Sequence, residues 1–229
     1  METTPRIPLL LKLAYTAFVC VLVPYYWVTY TAWNFLFFCD VALLMTLAAL
    51  WLERPLLASI PAVGITLPQL LWVLDFLTGG RVVGMATYMF DPRYPLFVRA
   101  LSLFHGWLPF LLLWVVGRLG YDRRAFLAQT VLTWVLLPIC YFLAPAPPAP
   151  ASNPNAAVNI NYVYGLSYDR PQTWMPAWLW LAMLCAGLPL CLYLPTHLVL
   201  LRVFPRREVP SRGLAAASDP PEGPARTAE

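Results

Sequence analysis

The chain has 229 residues, 60% of them hydrophobic and only 11% charged, whereas soluble domains average about 45–50% apolar and about 25% charged residues, so there are too few charges to coat a soluble core of this size. The net charge of +4 is small, and its basic residues are not interleaved with aromatics on a polar surface, which removes support for nucleic-acid binding. Cys20, Cys39, Cys140, Cys185 and Cys191 all lie in apolar runs, with no CxxC pair and no Cys/His set at zinc-ligand spacing, so no metal or other cofactor is expected.

The first apolar run, 8–30, begins beside Arg6 and Lys12 as a signal sequence would. It ends in Pro24, Tyr25, Tyr26, Trp27 and Tyr30 rather than in the small residues of a cleavage site, so it reads as a retained helix with an interfacial aromatic belt. The second run, 33–52, matches a hydrocarbon core of about 30 Å at 1.5 Å per residue and stops at Glu53, Arg54 and Pro55. The third, 56–77, contains Pro61, Gly64 and Pro68 and is expected to kink. The breakers Gly79-Gly80 and Asp91-Pro92 then mark a loop at 78–95, placed outside the membrane rather than dipping into it.

The fourth run, 96–116, leads into the basic loop GRLGYDRRA, and the fifth, 126–144, stops at the proline-rich APAPPAPASNP. The connection 145–173 carries NPNAAVNINYVYG and reads as a solvated turn before the last run. That run, 174–204, exceeds one bilayer thickness and is expected to bend at Pro189 and Pro195. The tail 205–229 has little to bury and reads as disordered and cytoplasmic.

These runs predict an all-α polytopic membrane protein: one six-helix transmembrane domain over 1–204 and no evident internal repeat, which weighs against the commonest transporter architectures. With six spans, one face receives Arg6, Lys12, Arg54, Arg118, Arg123, Arg124, Arg202, Arg206, Arg207, Arg212 and Arg226, eleven of the fifteen basic residues; the other receives Arg81, Arg93, Arg99 and Arg170. The positive-inside rule then places both termini in the cytoplasm, with the cell membrane as the expected location.

Polar residues inside apolar runs are the functional signal. A charge near the middle of a span costs roughly 2.5–3.5 kcal/mol on insertion scales, so such residues are paired, face a cavity or lie near water. Counting along alternating spans places Asp75 and Arg99 near the outer rim as an expected pair. Asp40, Gln69 and His105 fall about 10–13 Å below it. In the functional reading these line an outer-half cavity in which Asp40 orients His105 as an acid–base centre, Gln69 positions a ligand, and Asp75 with Arg99 holds the rim. The bland reading makes the same groups interhelical glue. His197 is expected at the inner interface, and Gln129, Thr130 and Thr133 in the inner half of the fifth span, where threonine can bond its own backbone. Asp122, Arg123 and Arg124 read as a topological anchor at the membrane surface.

HGWLPF at 105–110 resembles the segment around the catalytic histidine of the androgen-induced membrane lipid hydrolases, and WNFLFF at 33–38 resembles the start of that family's second helix. The resemblance implies a multi-spanning fold, cleavage of fatty-acid esters of hydroxy fatty acids, and a catalytic role for His105. It departs at Phe37, which stands where the family's nucleophilic threonine falls and cannot attack a carbonyl. The leading expectation is an outer cavity that binds or acts on a membrane lipid or other apolar molecule. A transport or proton-coupled protein using the same groups, or a structural membrane partner, are the alternatives.

Overall fold

The computed structural model describes residues 6–167 and 170–204. Among them every regular element is helical: α1 (Leu9–Tyr30), α2 (Phe38–Leu52), α3 (Pro55–Leu77), α4 (Leu96–Ser102), α5 (Phe104–Leu119), α6 (Ala125–Phe142), α7 (Ala177–Gly187) and α8 (Leu194–Val203). Short 3-10 turns occupy Ala32–Leu36, Thr87–Met89 and Ile160–Tyr162, and a π-helical stretch, Leu188–Tyr193, joins α7 to α8. The expected disordered tail lies outside the described residues.

Five stretches are long and apolar enough to cross a membrane: α1, α3, the α4–α5 pair as Leu96–Leu119, α6, and α7 through α8 as Ala177–Val203. Large apolar side chains stand exposed along them, with Leu10 at 79% and Val28 at 82%; such a surface needs lipid or protein against it. The run at 33–52 is corrected. Its first residues form the 3-10 turn, and the helix begins only at Phe38 and has 15 residues, about 22 Å of rise. The fourth run breaks at Leu103 and then continues to Leu119, beyond the expected 116. Gly120, at φ 96°, ends α5 in a backbone conformation that a side chain would strain.

Polar contacts between distant segments define two ends of the bundle. At the near end Glu53 caps α2 in a left-handed conformation and reaches back to the start of the chain. Its Oε1 accepts from Lys12 Nζ at 2.7 Å and from the Ile7 N–H at 3.3 Å, and its Oε2 accepts from the Arg6 N–H at 3.0 Å. The Asp122 N–H donates to Ser59 Oγ at 3.0 Å, and Tyr121 Oη lies 2.5 Å from His197 Nδ1. At the far end the Ala157 N–H donates to the Tyr30 carbonyl at 2.9 Å. Asn161 accepts from the Phe38 N–H at 2.9 Å and donates to the Leu36 carbonyl at 2.8 Å. Thus α2 returns to the end at which α1 began, although it is short.

α3 is the central helix and packs against α2, α5, α6 and α8. Small buried residues along it, among them Ala58, Ser59, Ala62 and Gly64, let neighbouring backbones approach closely. At Gly64 a Cβ would sit 2.6 Å from the buried Gln129 amide of α6. α3 runs unbroken through Pro61 and Pro68. The last run is interrupted around Pro189, whereas Pro195 lies in the first turn of α8. Pro189 has no N–H to give the Cys185 carbonyl, and Trp134 Nε1 donates to that carbonyl instead at 2.9 Å. The π-helical stretch also carries Tyr193 inward, where its hydroxyl lies 2.8 Å from Thr133 Oγ1. Thr133 therefore bonds across helices, whereas Thr130 bonds its own backbone at Phe126, 2.8 Å away.

The 145–173 connection is not the solvated turn its asparagines suggest. Asn159 and Asn161 are both buried. The Asn159 amide donates to the Gly165 and Ser167 carbonyls and accepts from the Tyr164 N–H, all at 2.8 Å. Asn159, Asn161 and Tyr162 all have positive φ, a region that asparagine tolerates better than most residues.

Candidate functional site

Asp75 and Arg99 do not form the expected ion pair. The fully buried Asp75 carboxylate instead organises the loop that follows α3. Its Oδ1 accepts from the N–H groups of Val82 (2.9 Å), Val83 (2.8 Å) and Gly84 (3.1 Å), and its Oδ2 accepts from Ala86 N–H at 2.7 Å. Four backbone donors of a non-helical stretch are satisfied by one side chain. Arg99 points elsewhere, with Nη1 on the Met89 carbonyl at 3.2 Å and Nε buried without a partner.

Asp40 lies in the first turn of α2, a consequence of the late helix start. It is buried, and its Oδ2 accepts from Asn34 Nδ2 at 3.1 Å and from Cys39 Sγ at 3.7 Å, while Oδ1 has no partner. No hydrogen bond or ion pair joins it to His105. The Tyr26 phenol links the two neighbourhoods: it lies within electrostatic reach of Asp40 and 3.2 Å from Ser102 Oγ.

The break at Leu103 explains the state of His105. Around it the Gly106 N–H bonds the Leu103 carbonyl rather than that of Ser102, four residues back. His105 Nδ1 lies 2.9 Å from the Ser102 carbonyl, which can only accept, so Nδ1 carries a proton and in the neutral ring Nε2 is the acceptor. The ring stacks on Trp72 of α3 at a centroid distance of 5.4 Å. Gln69 stands on α3 three residues before Trp72, about 4.5 Å along the axis and on the same face. Both polar atoms of the Gln69 amide are buried without partners, as is Trp72 Nε1. Tyr88, from the 78–95 loop, lies close to Ser102 and Trp72 without completing a bond to the indole nitrogen. Burial raises the Tyr88 pKa above its ordinary value, which keeps the phenol protonated.

The six buried side-chain polar atoms that lack partners among the described residues are Thr31 Oγ1, Asp40 Oδ1, Gln69 Nε2 and Oε1, Trp72 Nε1 and Arg99 Nε. All belong to the far half of the bundle. Thr31, a β-branched residue at φ 74°, adds backbone strain there. An unpaired buried polar group costs about 1–3 kcal/mol, so such a concentration in one region calls for water or a ligand. Elsewhere a crevice between α2, α3 and α6, lined by Phe38, Met45, Ile65 and Gln129 among others, has no room for a water molecule and includes neither Asp40 nor His105. His197 sits at the near end against Tyr121 and Phe126, away from the cluster, as expected.

His105 and Gln69 thus meet at Trp72, Asp40 is joined to their neighbourhood only through Tyr26, and Asp75 and Arg99 hold the loop after α3. Tyr26, Trp72, Tyr88 and Ser102 join that region without having been singled out in the sequence. Two of them had a readable signal, since Trp72 and Ser102 each stand three residues from Gln69 and His105 on the same helix faces.

No family model matches the chain, and neither a curated protein nor a solved structure matches it.

Proposed function

We propose that the chain is a six-pass membrane protein, with its near end in the cytoplasm, that binds a lipid or lipid-like molecule by its polar head in the outer half of the bundle. Support for six passes comes from Glu53, whose bonds to Arg6, Ile7 and Lys12 return α2 to the starting end despite its 15 residues. Support for the orientation comes from charge: Arg6, Lys12, Arg54, Arg118, Arg123, Arg124 and Arg202 flank the near end. The observation that carries the ligand reading is the concentration of unpartnered buried polar atoms in the far half, next to a histidine whose tautomer leaves Nε2 free to accept.

Binding is preferred to ester cleavage for two reasons. Asp40 spends Oδ2 on Asn34 and makes no bond to His105, and Phe37 occupies the place of the nucleophile in the family that the sequence resembles. Native mass spectrometry of the purified protein tests the reading. A co-purified lipid lost on Gln69→Leu supports it, and a protein that releases from detergent with no bound molecule sinks it. Orientation is tested by labelling from outside intact cells with the five native cysteines replaced: Ser152→Cys should react and Arg123→Cys should not.

A further inference from the structure

We infer that the head this site takes is uncharged and carries both a hydroxyl and a carbonyl, as in a mono- or diacylglycerol; the inference rests on the lipid-binding reading above. The free hydrogen-bonding capacity around His105 is balanced between donors and acceptors. Gln69 Nε2 and Trp72 Nε1 can only donate, and Gln69 Oε1 and His105 Nε2 can only accept. A carbonyl satisfies the donors, and a hydroxyl can give its proton to an acceptor while receiving a bond from a donor.

A phosphate head fits poorly. Phosphate recognition relies on cationic donors, above all the forked guanidinium of arginine. Of the arginines at this end, Arg81 and Arg93 are exposed, and Arg93 is committed to Asp91 at 2.6 Å. Arg99 has its Nη1 on the Met89 carbonyl in the loop beside the site and keeps one unpartnered buried donor, Nε. Asp40 brings a buried, unpartnered Oδ1 to this end of the bundle, not a cationic donor. The Tyr26 hydroxyl between Asp40 and Ser102 extends the polar wall without adding a cation.

The test uses the full chain in phosphatidylcholine nanodiscs with two diazirine-bearing probes of matched acyl chains, a diacylglycerol and a phosphatidylglycerol. The diacylglycerol should label peptides of α3 and α5, and labelling should fall at least tenfold in Gln69→Leu and in His105→Phe at unchanged thermal unfolding. Phosphatidylglycerol should give no Gln69-dependent labelling. If either variant fails to fold, competition on the unaltered protein decides: unlabelled diacylglycerol should displace the probe and phosphatidylglycerol should not. Gln69-dependent labelling by phosphatidylglycerol of equal or greater strength would overturn the uncharged head while leaving lipid binding intact. No site labelling or displacement with either probe would mean that the polar atoms hold only water and would overturn both readings.

Discussion

The Nδ1–H of His105 donates to the Ser102 carbonyl at 2.9 Å, and the helix break between these residues makes that carbonyl available. One irregularity of the backbone therefore sets the tautomer of the only histidine in the far half. The proton sits on Nδ1, and nitrogen NMR of the selectively labelled protein should show Nε2 unprotonated. His105→Asn, whose amide can still donate to Ser102, should bind no more ligand than His105→Phe. Equal ligand retention by His105→Asn would show that Nε2 contributes nothing.

Asp75 is expected to matter through its four backbone donors. Asp75→Ala should lower the thermal midpoint in detergent and open the 78–95 loop to limited proteolysis, because the N–H groups of Val82, Val83, Gly84 and Ala86 lose their acceptor. Arg99→Gln should do much less. Exchanging the two, with Asp75→Arg and Arg99→Asp together, should give no rescue; recovery would restore the ion-pair reading.

Glu53 gives the near end a defined acid sensitivity. Burial opposes its ionisation, but hydrogen bonds from Lys12 and from the Arg6 and Ile7 N–H groups outweigh burial and lower its pKa below the ordinary 4.5. A carboxylate with a depressed folded-state pKa binds fewer protons in the folded than in the unfolded chain between the two values. Its contribution is present above the ordinary value and is lost as pH falls through the folded value. Thermal stability of the unaltered protein should therefore decline below about pH 4.5. Glu53→Gln should be less stable at neutral pH and show a shallower acid decline; an unchanged profile would count against the clasp.

Gly64 and Gln129 occupy one contact between α3 and α6. Gly64→Ala should destabilise by about 1–3 kcal/mol through overpacking, since its Cβ would meet the Gln129 side chain at 2.6 Å. Combining it with Gln129→Ala should recover part of that loss beyond additivity. Strict additivity in chemical unfolding would place the strain elsewhere.

Asn161 fastens the long far-end connection to the start of α2. Asn161→Gly accommodates φ 55° but removes the bonds to Phe38 and Leu36, a loss of about 1–3 kcal/mol if the buried donor is left unpaired. Hydrogen exchange should accelerate at the Phe38 amide and in residues 157–163. Protection equal to that of the unaltered protein would mean that the connection is held by its apolar contacts alone.

The membrane character was readable because it depends on summed hydropathy over long runs, which needs no partner to be known. Helix spacing could likewise have placed Gln69 and Trp72 on a shared face. The chain order could not reveal that helix α2 starts at Phe38 or that Asp75 spends its charge on the loop after it, because both depend on which groups are left unpaired once the backbone is folded. The same holds for Asn159 and Asn161: asparagines in a polar stretch look solvated until the carbonyls and amides they satisfy are brought beside them from other segments. Sequence alone determined which material the bundle lives in. The tertiary structure decided which polar groups cancel one another and which remain free to meet a ligand, since hydrogen bonding is pairwise and its partners lie far apart along the chain.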